Sequence, residues 1–145
     1  MSAESEGFDS LHRSGRVEEL DSSECRRLLV TTNVGRLGYS TGDEVRIVPL
    51  NYVLAAGHLV VRTLPDNEVA RFALNRPVAF EIDELDRFLQ SGWSVLVSGV
   101  ATELPRESLR AMDFGETPEP WAGGVRSLYL RIPLLQLTGR RVHPA

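Results

Sequence analysis

The chain of 145 residues contains no lysine; all 16 of its basic residues are arginine. That absence excludes Schiff-base catalysis and the phosphate-loop lysine of nucleotide hydrolases. Any anion must be held by arginine, backbone N–H groups or hydroxyls. Cysteine is scarce as well. A single residue, Cys25, forbids an intrachain disulfide and suits a reducing, cytoplasmic setting. No apolar run approaches the roughly 18–20 residues of a helical membrane span, so no membrane partner is expected. The N-terminal residues lack the basic start and apolar stretch of a secretory signal. The three histidines, His12, His58 and His143, lie far apart and have no cysteine pair to join, so no metal-ligand spacing exists. Ser98-Gly99 lacks the first glycine of a nucleophile elbow. A basic excess is missing too. Residues 1–24 carry seven acids against two arginines, and residues 25–145 carry thirteen against fourteen. The net charge of −4 therefore belongs to the N-terminus, and no nucleic-acid partner is expected.

What is present is one domain's worth of soluble globular chain, 42% apolar and 25% charged. Residues 1–19 are acidic and aperiodic, which predicts a mobile tail, leaving 20–145 as the folded domain. Asp21-Ser22-Ser23-Glu24 has capping-box spacing and starts a helix running to about Val30. Short β-like runs follow: Gly35–Ser40, a turn at Thr41-Gly42-Asp43, Val45–Val53, a turn at Ala56-Gly57, and His58–Thr63. Leu64-Pro65-Asp66-Asn67 breaks the pattern and opens a helix over about Glu68–Leu74. Val78–Asp83 and Trp93–Leu104 are the next strands, and Pro105 starts a short helix through Met112. Residues 113–124 read as a loop. Ser127–Pro133 and Leu134–Thr138 close the chain as strands, with Arg140-Arg141 as a solvated end. Pro49 and Pro133 belong at edges, bulges or barrel corners. Six or seven short antiparallel strands with a few small helices predict a mainly β fold, a β-barrel with peripheral helices. Glu81 and Asp83 alternate onto one strand face, most simply a polar outer face.

Five segments carry a resemblance. They are Val45–Val53, Gly57–Thr63, Val78–Asp83, Gly92-Trp93-Ser94-Val95-Leu96-Val97-Ser98-Gly99, and a late Trp121…Gly139-Arg140-Arg141. In this order and spacing they resemble the pyridoxamine 5′-phosphate oxidase-like family, the FMN-binding split barrels, over about residues 20–145. The resemblance implies a homodimer with two flavins in clefts between subunits, acting as an oxidoreductase on a small molecule. It implies that Val48, Pro49, Leu50 and Asn51 run along the isoalloxazine ring. Arg62, Thr63 and the start of the following helix would hold the phosphate, with Trp93, Ser94 and Trp121 contributed by the second subunit. A basic group suits a phosphate dianion, and aromatic rings can cover a flavin.

One position departs from the family pattern. Relatives usually carry a phosphate-contacting lysine five residues after the threonine, and here that residue is Glu68. The reversal is worth roughly 4 kcal/mol per unit pair at about 4 Å and an effective dielectric of about 20, before screening. Arg71, one turn further on, is the residue that can compensate. Asn51 also stands where the vitamin oxidase uses a basic residue, and that enzyme's C-terminal substrate motif is missing. Pyridoxamine phosphate is therefore not the expected substrate. Two alternatives to FMN stay open: a deazaflavin, or a cofactor-less dimeric module that binds a ligand such as heme or a protein partner.

Overall fold

The computed structural model describes residues 15–111 and 127–144. In chain order the elements are β1 (Gly15–Leu20), α1 (Ser22–Leu29), β2 (Val34–Ser40), β3 (Val45–Ala55) and β4 (His58–Thr63). Then come α2 (Glu68–Ala73), β5 (Pro77–Asp86), β6 (Ser91–Val100), β7 (Thr102–Glu103), α3 (Arg106–Ala111), β8 (Leu128–Pro133) and β9 (Gln136–Pro144). Every pairing is antiparallel, in the order β1-β9-β6-β5-β2-β3-β4-β8-β7. The sheet curls into the half-barrel of a split-barrel fold.

The described residues hold nine strands, not six or seven. One addition is β1. Residues 15–19, expected in the mobile tail, pair residue by residue with β9 from Gly15↔Pro144 to Leu20↔Gly139. Glu18 and His143 clasp that pair at 2.6 Å. The same pairing carries β9 through Arg140 and Arg141 to Pro144, past the expected end at Thr138. The other addition is β7. Buried Ala101 interrupts the expected run 93–104, its N–H donating to the Arg76 carbonyl and its carbonyl accepting from the Asn75 N–H. The loop expected at 113–124 lies outside the described residues.

Local chemistry explains the helices. Asp21 Oδ1 accepts from the Glu24 N–H at 2.8 Å and caps α1. Cys25, Leu28 and Leu29 are the face that α1 buries. Asn67 caps α2 through the Ala70 N–H at 2.9 Å, and Val69, Ala70 and Ala73 turn inward. The core gathers Leu37, Phe80, Ile82, Val95 and Val97 with Leu59, Leu130 and Ile132. No helix among the described residues is long and apolar enough to cross a membrane.

β3 positions the candidate site, because it changes partner halfway. Val45–Asn51 pair with β2, whereas Tyr52–Ala55 pair with β4. The other edge of Val45–Asn51 meets no strand among the described residues. Pro49, which has no N–H to give a ladder, sits on this half.

Candidate functional site

Where β3 leaves β4 the sheet splits, and an opening forms. Extending the register that joins Tyr52 to Val61 would set Asn51 against Arg62 and Leu50 against Thr63. There, however, β4 pairs only with β8, Arg62 facing Tyr129 and Thr63 facing Leu128. The Tyr52 N–H donates to the Asn33 carbonyl at 2.9 Å, toward the β2 side. Because main-chain direction alternates along a strand, the peptide groups of Ile47, Pro49 and Asn51 point the other way, into the opening. Tyr52 itself is a fixed point. Its hydroxyl donates to the Leu29 carbonyl at 2.6 Å, and burial pushes its pKa up to about 12.

Side chains along this strand divide by face. Val48 and Leu50 pack against the core, while Pro49 and Asn51 lie exposed on the outer face. The neighbouring strands continue that outer face. Arg36 reaches Glu81 at 3.1 Å and Asp83 at 3.2 Å. Burial, and then Asp83 beside it, raise the Glu81 carboxyl above its ordinary value against the pull of Arg36. Ser94 stands between Asp83 and Arg140 in register, over a shallow cleft of about 240 Å³ lined also by Leu96 and Thr138. Trp93, one residue earlier, points the opposite way and packs on the core. In the sheet order β5 and β2 separate β6 from β3. Ser94 and Trp93 therefore do not join the β3–β4 opening within one chain. Trp121 lies outside the described residues.

At the far end of β4 a polar cluster closes on itself. Buried Thr63 accepts a hydrogen bond from the Asn67 side-chain amide at 2.5 Å. Glu68 Oε1 accepts from the Tyr39 hydroxyl at 2.7 Å and pairs with Arg46 Nε at 3.2 Å. Arg46 is shared, since its other end holds Glu44 at 3.0 Å. Burial, then the hydrogen bond to Glu68, raises the Tyr39 hydroxyl above its usual pKa. Arg71 lies over the ring of its neighbour Phe72, 5.2 Å from the centroid. The cation that meets Glu68 is therefore Arg46, on β3. Sequence reading names neither Tyr39 nor Arg46, because both contacts cross elements. Their one local signal is a tyrosine and an arginine near the hairpin turn, facing each other in register. Among the described residues no three His, Cys, Asp or Glu side chains are grouped to hold a metal ion.

The unpaired main-chain groups along the opening suit a flavin ring in chemical kind. Its polar heteroatoms need main-chain donors and acceptors along one edge, and the unpaired β3 edge supplies them. The phosphate end fits less well, because Thr63, Asn67 and Arg46 already have partners and Glu68 adds a negative charge.

Comparison with known proteins agrees with this architecture. The model of the family described as pyridoxamine 5′-phosphate oxidase matches residues 21–141. An uncharacterized protein of Mycobacterium tuberculosis is 30% identical over 133 residues, covering 87% of this chain and 86% of its own. The FAD-binding protein from Mycobacterium smegmatis is 28% identical with a TM-score of 0.68, over 87% of this chain and 98% of that one. A FAD-binding protein from Mesorhizobium loti is 25% identical with a TM-score of 0.65, over 88% and 98%.

Proposed function

This chain belongs to the pyridoxamine 5′-phosphate oxidase family, and from that premise we propose that it is a flavin-dependent oxidoreductase acting on a small organic molecule. The observation that carries the reading is the unpaired edge of β3 at Ile47–Asn51, opposite the end of β4. An internal strand edge left open in an otherwise paired sheet needs a partner for its peptide groups. A flat heterocycle is a partner of the right shape. The FAD-binding proteins of similar fold and sequence support a flavin in that role.

The chain's own residues would act by binding and positioning. Main-chain groups of Ile47, Pro49 and Asn51 would take the polar edge of the ring, and the Asn51 side chain would flank it. Arg62 and Thr63 would lie toward the ribityl chain and phosphate. Bound there, the flavin supplies hydride transfer, which is why no nucleophile is required of the protein.

The reading includes a homodimer that completes each site. Support comes from the outer face, where Ile47 is 71% exposed and Val34, Leu96 and Val100 add apolar surface to the same side. A second copy seated there would bring a partner's Ser94 toward the opening that its own chain leaves distant. The test is an absorbance spectrum of the purified chain before and after incubation with FMN or FAD and dialysis. A retained visible flavin band, about one per chain, is the expected result. A colourless protein that retains neither flavin overturns the reading and favours the cofactor-less module.

A further inference from the structure

We propose that a cleft along the β2-side edge of β3 is a second binding site, suited to a small uncharged carboxamide on an apolar or aromatic body. The cleft holds about 410 Å³, a size that fits a small molecule. It exists because β2 begins at Val34 whereas β3 runs on past Asn51, the partner of Val34, to Ala55. The link from α1 to β2 passes alongside this overhang, and the Tyr52 N–H joins it by donating to the Asn33 carbonyl at 2.9 Å. Main-chain direction alternates, so Leu54, like Tyr52, turns its N–H and C=O to this side, where no strand of the described residues meets them. The β3–β4 opening takes the peptide groups of Ile47, Pro49 and Asn51 on the opposite edge. The cleft therefore stands whether or not a flavin occupies the opening.

Its walls are already in place. The Thr31 N–H and hydroxyl both donate to the Leu28 carbonyl, at 3.0 and 2.6 Å. The Tyr52 hydroxyl holds the Leu29 carbonyl at 2.6 Å. Thr32 and Asn33 also line the cleft, and their side chains have no hydrogen-bond partner among the described residues. The Asn33 carboxamide can donate and accept at once, and the Leu54 main chain offers one donor and one acceptor. A ligand carboxamide needs such a pair. Val30, 69% exposed, and Val53 give its body an apolar bed. In a chain that is 25% charged, no Asp, Glu, Arg or His among the described residues lines this cleft. Its one titratable group, Tyr52, is pushed up to about 12 by burial and stays neutral. An ionised ligand would give up water there and gain no counter-ion.

The probes are three molecules that share one ring: benzamide, benzoate and benzamidinium, which are neutral, negative and positive near neutral pH. Each is titrated into the full isotope-labelled chain and followed by amide NMR. Benzamide should move the resonances of Thr31, Thr32, Asn33 and Leu54 and saturate with a Kd of about 1 mM. Benzoate and benzamidinium should bind about tenfold or more weakly than that. Asn33→Leu keeps the main-chain carbonyl that holds Tyr52, and should weaken benzamide about fivefold. Equal affinity for the three probes overturns the proposal, as does benzamide at high concentration that leaves those four amides unmoved. Shifts confined to Ile47–Asn51 and Arg62–Thr63 would put benzamide in the β3–β4 opening and overturn it as well.

Discussion

On its inner face the sheet presents Leu37, Phe80, Ile82, Val95 and Val97, each at most 1% exposed. The outer face of the same strands carries Arg36, Glu81, Asp83, Ser94 and Leu96. The inner residues are uniform in chemistry because one requirement, exclusion of water, sets them all. The outer residues are mixed: paired charges and hydroxyls lie beside exposed Ile47 and Leu96. Apolar surface of that kind is what a second subunit or a ligand would cover under the proposed reading. A face inside a uniform core would not tolerate those charges. The contrast separates residues whose burial specifies the fold from residues that the fold leaves free to vary.

The largest expected effect lies inside. Phe80 is fully buried and meets Tyr52 edge-on at 5.5 Å between ring centroids, and its ring lies against Gly35. Phe80→Ala should cost about 3–5 kcal/mol in urea unfolding, by lost burial and the cavity left behind. A loss well under that would mean the inner face tolerates vacancies and the contrast is weaker than drawn. The matching change outside is Leu96→Glu. Folding stability should move by no more than about 0.5 kcal/mol, while light scattering should show the proposed dimer giving way to monomer. An unchanged mass would remove the outer face as the subunit contact.

The smallest effect is in acid, and its sign differs between the two sides. Glu24, on α1 beneath the inner face, is lowered to about 2, first by its hydrogen bond to Arg27 and then, against desolvation, by Arg141. Its contribution is present above the ordinary 4.5 and lost as pH falls toward 2. Glu81 is raised, so its ionised form is the disfavoured one in the fold. Glu24→Gln should lower the melting temperature slightly above pH 4.5 and have no effect in strong acid. Glu81→Gln should raise it slightly over the pH range above its ordinary value, with the gain vanishing in acid. Identical pH profiles for the two variants would erase the distinction at the level of charge.

Much of the fold was legible where local rules decide. The Asp21–Glu24 cap, the break before α2, and the alternation of β2, β5 and β6 each follow from neighbours in sequence. β1 was not legible. Glu18 and Glu19 read as part of an acidic tail until β9 supplies Arg140, Arg141 and His143 across the ladder. The break between β6 and β7 was hidden for a related reason, since the bonds that hold Ala101 come from Asn75 and Arg76, a distant turn. At the site, the β3 and β4 segments were readable through family resemblance. The carboxylate at position 68 was readable as a departure, but its partners were not. Arg46 and Tyr39 meet it only after two strands and a helix have packed, and Arg71, the expected compensating cation, lies on Phe72.

The pairing of β1 with β9 also bears on synthesis. Its only partner strand among the described residues is β9, so during translation residues 15–20 leave the ribosome with nothing to pair with. The three helices and seven strands that lie between can assemble first, yet β1 waits until residues 136–144 emerge. Such a distant closure is slow to form. Until then a strand edge bearing Val17 stays available to other nascent chains. Three of the strand's residues, Arg16, Glu18 and Glu19, are charged, and charged side chains on a waiting edge are a safeguard against mispairing.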